Sequence, residues 1–505
     1  MATPSSSVPP KDDGALSDRI PIPQKIGYGL GSFLDMWGHW LYNAFAFQVF
    51  NIFLGVAPGL VSTALMVNRL WDAFADPIFG WLSDNTRTRF GRRRPYILVG
   101  GVLAGFFLPM LYAVGTGWTE KQYFIYMLVS SAVYIPMMSC FNMAWVSLGS
   151  EMTPNYNERT LLMSIRNAIQ KAPELAMFFA GQFTTLAVWV GADMNNVSER
   201  IVYLFTSADA WKPAAEGSNP NILLGGQVYC VILGAIMVIC AVLMFFLVRE
   251  RYYQNVVARK QEKMRIMDTL YKTIQCKPFR YMLVLIVAYG LGTSMVSALG
   301  YYDTIYYVCK GDVALGTAWN FKMGLAGMVF GFCGIPFFTL ISKKWGKRHA
   351  MTTVIIMAIM AFIGDWFFYN PNHPWMQLLA CGCVAFTGAG FWTIYNSLLA
   401  DIMDYDEMDT GKRREGAFSA CQSWLSKIGI TLGAGASGWI LQLTGFHAEL
   451  KGLQSPEAIF WIRFMLSAIP VLFLAFALWA IIKFPLTREK MAELRVNLEK
   501  MRGKV

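Results

Sequence analysis

Charge is scarce in this chain: Asp, Glu, Lys and Arg make up 15% of its 505 residues, against 55% hydrophobic residues. So thin a charged surface excludes a set of soluble domains, because stretches of about 20 apolar residues recur along the whole length. A disulfide framework and a zinc site are also excluded. Of nine cysteines, Cys140, Cys230, Cys240, Cys333, Cys381, Cys383 and Cys421 fall inside apolar runs, where free thiols pack as small hydrophobes. No nucleophile-base pair or metal-ligand cluster stands out, which argues against an enzyme and against any bound cofactor. The first 26 residues are polar and rich in Ser and Pro, a disordered tail and not a cleavable signal. The acidic run Asp401-Ile-Met-Asp404-Tyr-Asp406-Glu407-Met-Asp409 lacks the glycine and glutamate spacing of a calcium loop.

What is present is a series of twelve apolar spans, near 28–54, 60–82, 96–114, 123–147, 164–190, 222–248, 279–302, 319–342, 350–369, 375–400, 417–444 and 458–484. They predict an all-α polytopic protein embedded in a lipid bilayer. The net charge of +11 does not form one basic stripe, so no nucleic-acid partner is expected. Instead the basic residues fall in alternate loops: Arg87 to Arg94, Arg249 to Lys277, Lys343 to Arg348 and Lys412 to Arg414. The opposite loops hold only Lys121, Arg200, Lys212, Lys310 and Lys451. The positive-inside rule therefore puts both termini in the cytoplasm, with the chain in the cytoplasmic (plasma or inner) membrane.

The spans repeat. Tyr28-Gly-Leu-Gly-Ser32 returns as Tyr289-Gly-Leu-Gly-Thr293, Phe90-Gly-Arg-Arg-Arg94 as Trp345-Gly-Lys-Arg348, and Trp145-Val-Ser-Leu148 as Tyr395-Asn-Ser-Leu398. The three separations are each roughly 250–260 residues, which predicts two parallel six-helix halves enclosing a midplane cavity. The expected layout is a cytoplasmic tail over 1–26, a first half over 27–250, a basic linker over 251–278, a second half over 279–485 and a tail over 486–505.

Within the second span, Asp72 and Asp76 lie four residues apart and so share one helix face. A charge near the bilayer centre costs roughly 2.5–3.5 kcal/mol on insertion scales, so two retained acids mark a functional site. They can converge on one small cation, either Na+ with further oxygens from Ser139 and Asn142 or a proton on one buried carboxyl. The alternative is a structural pair neutralised by Arg69 or Lys427. Asp35, His39 and Asn43 recur at i, i+4 and i+8 on the first span and build a polar stripe that lines a cavity or joins helices. A protonatable His39 leaves proton coupling and an anionic substrate open. Lys427, with apolar or small residues on both sides, needs an acid nearby.

The segment Asp72-Ala-Phe-Ala-Asp76-Pro77, with Gly80-Trp-Leu-Ser-Asp84-Asn-Thr86-Arg-Thr-Arg89-Phe-Gly91-Arg92-Arg93-Arg94-Pro95, resembles the glycoside-pentoside-hexuronide:cation symporters of the major facilitator superfamily, in their melibiose permease-like form. The resemblance extends through Ser147-Leu-Gly-Ser-Glu151-Met-Thr153, Tyr156-Asn-Glu-Arg159-Thr160, Ala400-Asp401-Ile-Met-Asp404-Tyr405 and Lys427. It implies the twelve-helix major facilitator fold and, by alternating access, symport of a sugar, glycoside or hexuronide with co-transported Na+ or H+, by a monomer.

It also implies site residues. The cation carboxylates correspond to Asp72 and Asp76, with Ser139 and Asn142 as further ligands. The family asparagine between the two acids is Ala75 here, one oxygen ligand fewer. The sugar-binding aspartate of the fourth helix falls at Asn142 and the tryptophan one turn on shifts to Trp145. Arg166, Trp392 and Lys427 match the family's basic and aromatic positions, and Asp35, His39 and Ser423 complete the expected solute site. Asp84, Arg89, Arg92 and Arg93 sit in a cytoplasmic loop as an expected conformational latch. A carrier of lysolipid or another organic solute, and a non-transporting solute sensor of the same fold, are the alternatives.

Overall fold

The computed structural model describes residues 19–86, 88–152, 156–215, 218–250, 274–410, 415–447, 450, 453–491 and 493–494. Most of the expected tails and linker, together with the side chains of Asp84, Arg159 and Ser423, lie outside the described residues.

Twelve long helical rods make up the described chain. They are α1 (22–53), α2 (Pro58–Asn85), α3 (Arg94–Tyr112), α4 (Glu120–Glu151), α5 (Tyr156–Thr184), α6 (Ile222–Leu247), α7 (Lys277–Val308), α8 (Val313–Trp345), α9 (Lys347–Phe368), α10 (Gln377–Thr410), α11 (Glu415–Leu443) and α12 (Pro456–Ile482). Their ends follow local chemistry. Pro58 and Pro456 occupy first turns, where the missing N–H costs nothing. Thr119 and Gln122 form a capping box on α4, while Asn221, Asp312 and Ser455 cap α6, α8 and α12. Gly346, at φ 90°, makes the tight turn from α8 to α9. α10 runs past its expected end at 400 to Thr410, because its acidic last turns find partners: Asp401 lies 2.6 Å from Lys347 Nζ.

Eight of the described helices are long and apolar enough to cross a membrane. The four rods outside that set are α1, α2, α5 and α11. These carry Asp35, Asp72, Asp76, Arg166 and Lys427, so their weaker hydropathy is the cost of the polar groups they hold.

The rods form two bundles. α1 packs on α5 and α6, α2 on α4, and α3 on α4 and α6; α7 packs on α11 and α12, α8 on α10, and α9 on α10 and α12. Contacts between bundles run along α2 with α11 and α5 with α8. The first of these is close because α11 is small there: a Cβ on Gly438 would lie 2.2 Å from the Pro58 carbonyl oxygen. The repeat is visible in the backbone too. α1 ends in a π-helical stretch, Phe47–Phe53, and α7 ends in another, Asp303–Val308. The two stretches are about 255 residues apart, the period of the sequence repeat.

The bundle closes at the end opposite the termini, here called the far side. Tyr302 donates to Asn51 Oδ1 between α7 and α1. Thr185 and Thr317 share a 2.7 Å hydrogen bond between α5 and α8, and Trp439 Nε1 donates to Thr63 at 2.9 Å between α11 and α2.

Candidate cation and solute site

The charged groups of α1, α2, α5 and α11 meet near mid-span. A second π-helical stretch in α1, Trp37–Leu41, adds a residue to one turn and so re-aims the side chains around it. His39, in that stretch, lies between two acids: Nδ1 is 3.4 Å from Asp35 Oδ1, and Nε2 is 3.8 Å from Asp72 Oδ1. Asp35 continues to Arg166, 3.7 Å away on α5. Asp72 accepts a hydrogen bond of 3.3 Å from Ser139 on α4, and Arg69 Nη1 stands 4.0 Å from its other oxygen. Arg69 is held by the His39 carbonyl at 2.8 Å and by the face of Trp40.

Asp76 belongs to a separate contact. Lys427 Nζ, from α11, lies 2.5 Å from Asp76 Oδ2, while Asp76 Oδ1 is buried with no hydrogen-bond partner. Asp72 and Asp76 are 5% and 7% exposed, so water screens neither charge. Three acids, Asp35, Asp72 and Asp76, therefore face three basic side chains, Arg166, Arg69 and Lys427, and one histidine. Both neutralising partners that the sequence offered, Arg69 and Lys427, are in place, one on each carboxylate.

Two cavities adjoin these charges. A water-sized one, about 30 Å³, is lined by His39, Asn68, Arg69, Asp72, Ser131 and Tyr134. Ser131 there donates to Asn68, a pair that no sequence pattern suggested. The larger cavity, about 490 Å³, lies toward the far side between the two bundles, with Trp40, Asn43, Gln48, Arg69, Tyr301, Asn320 and Tyr369 on its walls.

Of the polar stripe on α1, Asn43 lines this larger cavity; among the described residues, the side chains that the family resemblance assigns to the solute do not. Asp35, His39, Asn142, Trp145, Arg166, Trp392 and Lys427 sit on their helices nearer the terminal side. Trp145 requires a correction, because it is fully buried and stacks between Tyr28 and Phe141. Its Nε1 donates to the Tyr28 carbonyl at 3.0 Å, and a Cβ on Gly31 would strike it at 2.2 Å. It therefore offers no face to a sugar; it supports Arg166, whose guanidinium lies 4.4 Å above its ring. Trp392 is 39% exposed and touches Phe391 and Tyr395 edge-on. Asn142 Oδ1 is buried with no donor. Lys171 and Glu174 pair at 2.6 Å, as their i, i+3 spacing allows.

The residues of the loop between α2 and α3 have a partner the sequence did not indicate. Glu250, at the end of the first half, accepts from the backbone N–H groups of Arg92, Arg93 and Arg94 at 2.8, 2.6 and 2.9 Å. Its carboxylate thus sits at the positive N-terminus of α3. Arg93 Nη1 also donates to Ser83 at 2.6 Å, and Arg89 lies against the Phe90 ring.

Two six-helix bundles around a cavity, with buried charges on the bundle-to-bundle contact, define an integral membrane transporter of the major facilitator fold. The model of the MFS/sugar transport protein family matches residues 26–488, and the chain belongs to that family. It is 24% identical to a glucuronide carrier protein homolog of Escherichia coli, over 94% of each chain. It is 25% identical to the isoprimeverose transporter of Lactiplantibacillus pentosus, over 90% of this chain and 88% of the other. Among solved structures, a bacterial homolog of the human lysosomal transporter Spinster, inward-facing and unoccupied, superposes with a TM-score of 0.60 at 14% identity, covering 95% of this chain and 97% of that one.

Proposed function

We propose that this protein is a cation-coupled sugar symporter that carries a glycoside or hexuronide across the plasma membrane as a monomer, with both termini in the cytoplasm. The observation that carries the reading is the Lys427 to Asp76 contact, 2.5 Å across the interface of the two halves. A buried carboxylate held by a lysine of the opposite half is a site where an incoming cation competes with the half-to-half contact itself. Binding of the cation and movement of the halves are then one equilibrium, which is what coupling requires. The names of the glucuronide and isoprimeverose carriers support a sugar as cargo.

Protons fit this geometry better than sodium. His39 bridges Asp35 and Asp72, which makes a short path for a proton, and Ala75 supplies no ligand oxygen to a metal ion. In this reading Asp72 and Asp76 take the cation, Ser139 orients Asp72, and Arg69 transmits the change to the large cavity, whose wall it shares. The solute occupies that cavity, with Trp40 as stacking face and Asn43, Gln48 and Asn320 as hydrogen-bonding groups. Asp35 and Arg166 keep His39 in place, and the first and second halves are the bodies that rock.

Purified protein in liposomes, given labelled glycosides, pentosides and hexuronides under separate proton and sodium gradients, tests this directly. The expected result is accumulation of one of these sugars driven by an inward proton gradient and lost in Asp76→Ala. Full gradient-driven accumulation by Asp76→Ala would refute the site, and accumulation driven by sodium alone would refute the choice of ion.

A further inference from the structure

A second pair of buried acids lies in the other half of the molecule. Asp303 opens the π-helical stretch that ends α7, and Asp365 lies on α9 one turn before Tyr369. They are 2% and 5% exposed. Oδ1 of each is buried without a hydrogen-bond partner, and neither carboxylate has a cationic nitrogen within 4.0 Å among the described residues. Gln48, near the start of the matching π-helical stretch on α1, by contrast donates to Thr184 and to the Gly181 carbonyl.

Electrostatically, Asp303 is acted on by Arg463 of α12, and Asp365 by Asp303. Arg463 is directed elsewhere: it donates to the Trp366 carbonyl at 2.6 Å and lies over the rings of Tyr307 and Trp366. The remaining titratable groups that act on these acids are Tyr369 from α9 and Cys381 and Cys383 from α10, and Tyr301 and Tyr306 flank Asp303 in sequence on α7. Thr304 donates to Gln377 Oε1 at 2.9 Å beside them, so uncharged oxygen is at hand. Two ionised acids and one arginine leave the cluster one negative charge out of balance. An unpaired carboxylate at this depth costs several kcal/mol, and the group neutralises itself unless a cation arrives.

There is a route for one. Tyr369 and Cys381 belong to the wall of the large cavity, and the Tyr369 hydroxyl reaches Gly300 of α7, three residues before Asp303. The acids therefore stand immediately behind that wall. We propose that the buried Asp303 and Asp365 cluster binds one monovalent cation, a proton or a sodium ion, in the second half. This site is independent of the α2 pair. It restores neutrality to the cluster, and its filling is sensed at the cavity through Tyr369.

The experiment uses the full-length protein in detergent, with Asp72→Asn and Asp76→Asn already present so that α2 contributes no titrating acid. One arm is a potentiometric difference titration of this protein against the same chain bearing Asp303→Asn or Asp365→Asn. The other arm follows tryptophan fluorescence and unfolding temperature as sodium replaces choline at constant ionic strength. A proton site predicts one proton per molecule retained through the neutral range and missing from both Asn variants. A sodium site predicts a saturable, sodium-specific response abolished in both. The idea is overturned if neither response occurs and both acids titrate in the ordinary aspartate range, about 3.9. It is equally overturned if a response persists in both Asn variants. Asparagine preserves the shape of aspartate, and should one variant not fold, the other reports on the same cation.

Discussion

Replacement of Lys427 by methionine isolates the competition on which coupling rests. The ammonium lies 2.5 Å from Asp76 Oδ2, and two unit charges at that separation attract by about 7 kcal/mol at an effective dielectric of 20. That figure is a ceiling, because the lysine side chain is 44% exposed and water screens it. A charge-assisted hydrogen bond has a net worth of about 1.5–3 kcal/mol. Lys427→Met removes that much stabilisation from ionised Asp76, so the coupling cation should bind about 10- to 100-fold more tightly. Tighter binding does not mean better transport. With no lysine to take over the carboxylate, cation release is slowed and the halves lose their contact, so gradient-driven accumulation should fail while solute exchange persists. The measurement is the half-saturating cation concentration in purified protein, together with uptake and counterflow in liposomes. Unchanged cation affinity, or undiminished accumulation, would refute the reasoning.

Three further outcomes follow from single contacts. Ser139→Ala deletes the 3.3 Å donor to Asp72, worth about 1 kcal/mol. It should raise proton affinity roughly fivefold if protons are coupled and lower sodium affinity if sodium is, so the sign of the change in half-saturation identifies the ion. Tyr302→Phe removes the donor to Asn51 at the closed end. The equilibrium should move roughly fivefold toward the far-side-open state, read as faster labelling of a cysteine placed at Asn320 by an impermeant reagent; an unchanged rate would exclude Tyr302 from the gate. Glu250→Gln weakens three backbone hydrogen bonds at the start of α3 and should cost about 1.5–3 kcal/mol, visible as a lower unfolding temperature. No loss of stability would mean that this carboxylate is not what fixes the helix end.

The helices were legible in the sequence because lipid imposes a length and a polarity on each span, and these survive without knowledge of any neighbour. Asp72, Asp76 and Lys427 were legible for the same reason, as charges in apolar surroundings. What the sequence withheld was direction. A tryptophan in mid-helix reads alike whether it faces a cavity or another ring, and only the phase of α4 against α1 puts Trp145 between Tyr28 and Phe141. On α1 the polar stripe was legible as far as Asn43, which lines the large cavity, whereas Trp40 lies within and Gln48 past a π-helical turn that 3.6-residue periodicity does not anticipate. Glu250 finds its partners more than 150 residues away, beyond any local pattern. Asp303 and Asp365 carried a usable signal, an acid beside or within an apolar span, but no motif or spacing joined them to the other charges.

The arrangement also constrains the order of events. In this structure the far side is closed by neutral hydrogen bonds, Asn51 with Tyr302 and Thr185 with Thr317, whereas mid-span the halves are joined by a charge pair. Neutral contacts of this kind contribute about 1 kcal/mol each and do not respond to ions. The Lys427 to Asp76 contact does respond, since a cation that occupies Asp76 neutralises the charge that holds the ammonium and so loosens it. On the proposed mechanism the loosened lysine, still charged and partly exposed, needs a new acceptor before the carrier can reorient. A sugar hydroxyl or a hexuronide carboxylate supplies that acceptor in the doubly loaded state. A carrier loaded with cation alone leaves Lys427 without a partner and pays the desolvation of a bare ammonium on closing, several kcal/mol. That difference between the two loaded states is sufficient to prevent uncoupled cation leak, and it requires no contact between the cation and the sugar.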